Sequence, residues 1–109
     1  MKIKFYHYED KDITIDTDAI LEDGKLILDG YDYGKRVEDM RGMGDDYEYR
    51  LSLNEENTTK FFESLGVSNK SEEQKLAALK EKFGKNGRTS EIREYCDKRN
   101  IKTDFFSWP

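Results

Sequence analysis

Two carboxylate groupings, Asp16-Thr17-Asp18 and Asp45-Asp46, are the residues of this chain best suited to holding a cation. A calcium loop of the EF-hand type starting at Asp16 needs an oxygen donor at position 20, a glycine at 21 and a glutamate at 27. The chain has Ile20, Leu21 and Ile27 there, so that loop cannot form. Solvation of turns and strand ends, where aspartate is common, accounts for both groupings. Zinc is excluded on other grounds, since one cysteine and one histidine cannot supply its nitrogen and sulfur ligands. Gly42-Met43-Gly44 begins like a dinucleotide loop, but the third glycine would fall at Tyr47, and no Walker pattern exists. Cys96 shares helical spacing with Ile92, which makes it a small buried apolar side chain; a pairing with the single histidine, His7, stays open. The remaining acids show no environment that would push two carboxyl pKa values apart. The expectation is a protein with no enzymatic activity, metal or cofactor.

The elements that position these residues belong to one domain, 1–109, because this length leaves no room for a second core. Charged residues make up 39% of the chain and hydrophobic residues 35%, a balance that leans towards disorder. Seven tyrosines, six phenylalanines and a tryptophan offset it by offering large apolar areas to bury. Acidity is concentrated in the front of the chain: residues 1–49 hold 14 Asp or Glu against 7 Lys or Arg. Such a field repels phosphate backbones and attracts basic protein surfaces, so nucleic acid is a disfavoured partner. MKIKFYHYED lacks the apolar core of a signal peptide, and every hydrophobic cluster is broken within a few residues. A cytoplasmic location with no membrane partner is expected.

Alternation with a period of two marks the strands. Ile3, Phe5 and His7 share one face of the first. Ile13, Ile15, Thr17, Ala19 and Leu21 share one face of the second, with Asp12, Thr14, Asp16, Asp18 and Glu22 on the other. Asp23-Gly24 suits a type I′ turn and sets Leu21 opposite Leu26 and Ala19 opposite Leu28. In YEYRLSLN, Tyr47, Tyr49, Leu51 and Leu53 fall on one side and Glu48, Arg50 and Ser52 on the other. Three helices follow. Asn54 caps one carrying Thr58, Phe61, Phe62 and Leu65 and closed by Gly66. Ser71 and Gln74 form a capping box for one carrying Leu76, Leu79 and Phe83 and closed by Gly84. A third starts near Ser90, buries Ile92, Tyr95 and Cys96, and ends at a left-handed Asn100 with Ile101 folded back onto Cys96. KTDFFSWP returns as a last strand. The order predicts an α+β fold: a mostly antiparallel sheet of about five strands with three helices packed on one face.

Residues 29–50 offer the most suggestive surface. Asp29, Asp32, Asp45, Asp46 and Glu48 can gather with Tyr31, Tyr33 and Tyr47 as an acidic, tyrosine-rich rim at one end of the sheet. Tyrosine is enriched in protein interfaces, and carboxylates steer a basic partner. The competing reading makes 35–41 a short connecting helix with Val37 and Met40 tucked in, and makes the tyrosines core. The side of the sheet that each tyrosine faces decides between them. Residues 80–100 carry seven Lys or Arg against four acids, but Phe83 and Tyr95 lie on apolar helical stripes and so face the core rather than a base.

The order of a D-G hairpin, LILDGYDYGKRVED, DYEYRLSLNEEN, KEKFG and a terminal I-x-x-x-F-F-S-W resembles a group of small bacterial single-domain proteins of unassigned function. The likeness covers about residues 20–108, and RGMGDD is longer than the corresponding loop of that group. The resemblance implies shared architecture; at the level of class it points to immunity proteins of toxin systems and phage inhibitors. The expected function is that of a non-enzymatic inhibitor whose rim covers a basic site on a protein partner. The alternatives are a nucleic-acid module working through Lys80, Lys82, Lys85, Arg88 and Arg93, and a structural subunit that self-associates through the last strand.

Overall fold

A computed structural model describes residues 1–34 and 46–108. Among these residues the chain forms β1 (Lys2–Glu9), β2 (Thr14–Glu22), β3 (Lys25–Tyr33), β4 (Asp46–Leu53), α1 (Glu55–Ser64), α2 (Glu72–Phe83), α3 (Thr89–Asp97) and β5 (Asp104–Trp108). The strands pair antiparallel in the order β1-β2-β3-β4-β5, and the helices all cover the same face of the sheet. This is the expected α+β architecture. The stretch proposed as a connecting helix, with Val37 and Met40, lies outside the described residues.

Turn chemistry fixes the register at the centre of the sheet. Asp23 and Gly24 adopt φ values of 53° and 77°, the positive pair that a type I′ turn demands, and Leu21 pairs with Leu26 and Ala19 with Leu28 as expected. From there the period of two sends Thr17, Ala19, Leu21, Leu26, Leu28, Tyr49, Leu51 and Leu53 under the helices. They meet Phe61 and Phe62 of α1, Leu76, Leu79 and Phe83 of α2, and Ile92 and Cys96 of α3. Each fully buried side chain of this size contributes about 1.5–3 kcal/mol.

The first two helix starts and the last helix end match their signals, while α3 starts at Thr89 with no side-chain cap. Asn54 accepts a hydrogen bond from the backbone N–H of Asn57, and Ser71 and Gln74 close a complete capping box. Asn100 takes φ 57°, and the N–H of Ile101 donates to the carbonyl of Cys96 at 2.9 Å, which is the Schellman ending that buries Ile101.

β1 corrects one expectation. The register shifts between Lys4 and Tyr6, so Phe5 sits in a bulge and the alternation changes phase there. Phe5 and Tyr6 both pack towards the helices, and His7 comes out opposite Asp16 on the far face. His7 is therefore separated from the buried Cys96 by the sheet itself, and the two cannot act together.

Candidate protein-binding face

Because the helices occupy one side of the sheet, the other side, among the described residues, is built from the outward-pointing residues of five strands. Their pairing arranges them in rows. One row runs Lys4, Asp18, Asp29, Arg50, Phe106; the next runs His7, Asp16, Tyr31, Glu48, Trp108. Asp18 and Asp29 face each other directly, a repulsive pairing that cations offset on both flanks. Lys4 Nζ bonds Asp16 and lies 2.8 Å from Asp18, and Arg50 grips Asp29 with two parallel bonds of 2.6 and 2.8 Å.

These contacts set the charge states of the face. The hydrogen bond from Lys4 holds the Asp16 carboxyl below its usual range, and the carboxylates of Asp16 and Asp18 push the Lys4 ammonium up. Hydrogen bonding to Asp29 likewise reinforces the charge on Arg50. Among the described residues Glu48 has no ion-pair partner, and it lies between Tyr31 and Trp108 in its row. A shallow depression of about 250 Å³ opens here, lined by Asp16, Asp29, Tyr31, Glu48, Arg50 and Trp108.

The rim expected from sequence is therefore divided between two faces. Asp29, Tyr31, Tyr33 and Glu48 lie on the open side, with the Tyr31 and Tyr33 rings 5.0 Å apart. Asp29 is engaged by Arg50 rather than held out for a partner. Asp32 and Tyr47 lie on the helical side, because they share the parity of Leu28 and Leu51. Asp32 is buried there, and both residues line a cleft of about 470 Å³ beside Arg88 and Arg93. As to the other two positions, Asp45 lies outside the described residues, and Asp46 begins β4 with a side chain that is likewise outside them. Trp108, Lys4, Asp16, Asp18 and Arg50 join the site although the expected rim did not include them; Asp16, Asp18 and Arg50 lie on the polar strand faces where the alternation puts them. Trp108 reaches Glu48 only through the pairing of β5 with β4, which no local pattern announces.

Of the remaining candidates, Cys96 lies in the core and Tyr95 packs against it. Burial pushes the Cys96 thiol up to about 11 from 9.0. Its thiolate fraction near pH 8 should then fall ~100-fold, so iodoacetamide is expected to alkylate the native chain at least that much more slowly than the urea-unfolded chain. Equal rates would show a reactive thiol. On the basic side, the Tyr95 ring meets Phe61 and Phe83 edge-on at 5.8 and 5.3 Å, and the Arg99 guanidinium stacks 3.6 Å from its centroid. Tyr95 is thereby occupied by the chain's own groups. No helix among the described residues is long and apolar enough to cross a membrane. Comparison of the chain with protein-family models, curated proteins and solved structures gives no match.

Proposed function

We propose that this chain is a non-enzymatic binding protein of the inhibitor type, and that it covers a basic site on a partner protein with the open face of its sheet. The observation that carries this reading is the depression around Glu48. A carboxylate without an ion pair among the described residues stands between two aromatic rings, Tyr31 and Trp108, in a recess of side-chain size. An arginine or lysine from a partner would find a counter-charge and a ring face at once, a combination stronger than either contact alone. Tyr33, Phe106 and Trp108 are 40%, 66% and 38% exposed on the same side, which supplies the apolar anchor that interfaces concentrate. The surrounding ion pairs hold the backbone and the charged groups in place, so binding orders few side chains.

The binding contribution therefore shifts from a rim of many acids to one acid between rings. Glu48→Lys is expected to weaken capture of a basic partner from the cell of origin by at least ~100-fold, since it replaces attraction by repulsion at a partly desolvated site. Trp108→Ala should weaken it by about tenfold or more. Lys70→Glu, on an exposed turn between α1 and α2, should leave it unchanged. Partner binding that survives Glu48→Lys would remove this reading.

A further inference from the structure

The two edges of the sheet are protected very differently. β1 carries Lys2 and Lys4 and a bulge at Phe5, which are devices that keep an edge strand from pairing with another chain. β5 has neither lysine nor bulge, and its protection is limited to its length of five residues and to Asp104. Asp104-Phe105-Phe106-Ser107-Trp108 contains no lysine, arginine or proline, its register with β4 is regular, and all five residues are exposed. Three of the six exposed large hydrophobic side chains found among the described residues lie on these five positions.

We infer that β5 is a self-pairing edge: two copies of this chain join their β5 strands antiparallel about a two-fold axis through Phe106, extending the sheet across both molecules. The strand is suited to its own copy. With Phe106 opposite Phe106, Asp104 stands opposite Trp108 and Phe105 opposite Ser107. No like charges meet, and the Phe106 and Trp108 rings, already 5.2 Å apart within one copy, form a four-ring cluster on the open face. The competing two-fold register, centred on Phe105, would bring together the two Arg93 guanidinium groups, each of which lies 4.3 Å from the centroid of its own Phe105 ring. That repulsion disfavours it.

The pairing also completes the open face. Asp104 of the second copy adds a carboxylate beside Trp108, so the row Tyr31, Glu48, Trp108 continues into the neighbouring molecule and the recess is presented twice. This last consequence rests on the proposed binding role of the recess; the pairing itself does not. The three aromatic side chains expose together roughly 300 Å² per copy at ~200 Å² for a ring side chain, well short of a standard interface. The dimer should accordingly be weak and visible only at high concentration.

Sedimentation equilibrium of the purified chain from about 5 μM to about 1 mM reads this directly, because a small interface gives micromolar-to-millimolar affinity. The native chain is expected to pass from monomer to dimer across that range. Phe106→Lys, which sets two cations against each other on the axis, is expected to remain monomeric throughout with an unchanged circular dichroism spectrum. Trp108→Lys is expected to dimerise more weakly than the native chain, since two of the four clustered rings are lost, but still detectably at the upper limit, because the new cation faces Asp104 of the other copy. A native chain that stays monomeric at the upper limit, or a Phe106→Lys chain that still dimerises, overturns the pairing. Loss of the dimer in Trp108→Lys overturns the register. These masses are measured without any partner, so they are independent of the capture experiment on Glu48.

Discussion

Gly30→Ala is expected to destabilise the fold by about 3 kcal/mol, out of the ~5–15 kcal/mol that holds a domain of this size together. Gly30 sits at the centre of β3 between Thr17 and Tyr49, in a row that faces the helices. The Tyr49 ring lies flat across the space that a side chain would fill: a Cβ at position 30 would come within 1.9 Å of Cζ and 2.3 Å of both Cε atoms. By crossing over the glycine the ring reaches β2, where its hydroxyl meets Thr17 Oγ1 at 2.9 Å in a fully buried contact. An added methyl group must therefore displace the ring, and that costs both packing and the buried hydrogen bond. The same ring stacks on Phe105 at 6.2 Å, so its displacement also disturbs the seat of β5. Urea unfolding checks the size of the effect. Combining Gly30→Ala with Tyr49→Leu should cost clearly less than the two single changes added, because the smaller side chain removes the clash. A Gly30→Ala chain within 1 kcal/mol of the native one would mean that the ring does not occupy this space.

The inward position of Gly30 also shows what was legible in the sequence. Once Leu26 and Leu28 face the core, the period of two sends Gly30 and Asp32 inward and Asp29, Tyr31 and Tyr33 outward. Grouping Asp29, Tyr31, Asp32, Tyr33 and Tyr47 as one rim followed their nearness along the chain. Parity separates Asp32 and Tyr47 from the others, and it was available from the pattern that defined the strands. The Asp23-Gly24 turn and the helix caps were readable because each rests on a few adjacent residues with fixed backbone demands. The bulge at Phe5 was not, since no glycine or proline marks it and the phase change that exposes His7 follows from packing. Nor could the recess be read. Glu48 and Trp108 are neighbours through the pairing of β4 with β5, and three helices intervene between those strands. A contact closed over that distance leaves no trace in local spacing.

Those three helices are tied to the sheet through the first turn of α1, and Thr58→Val is expected to loosen that tie by about 2–4 kcal/mol. The Thr58 hydroxyl accepts from the backbone N–H of Leu26 at 3.0 Å and donates to the carbonyl of Leu53 at 3.1 Å, linking β3 and β4 to the helix. Leu26 is fully buried and Leu53 is 1% exposed, so water cannot replace the missing hydroxyl. Valine has nearly the same shape, which leaves the packing intact and isolates the two hydrogen bonds as the cause. Thr58→Ser keeps the hydroxyl and should recover most of the loss. Beside it, buried Asn57 accepts from the backbone N–H of Lys102 at 2.9 Å and fixes the chain just before β5. Asn57→Ala removes that anchor and should cost less, about 1–2 kcal/mol, because Lys102 is exposed and water can reach its surroundings. The two variants should differ in hydrogen exchange as well as in size. Thr58→Val lowers protection across the whole sheet, since the links it breaks join central strands. Asn57→Ala lowers it chiefly at residues 102–108, whose strand loses its entry point while β1 to β4 keep theirs. If both variants lose protection evenly across the sheet, β5 belongs to the same cooperative unit as the core and is not held separately through Asn57.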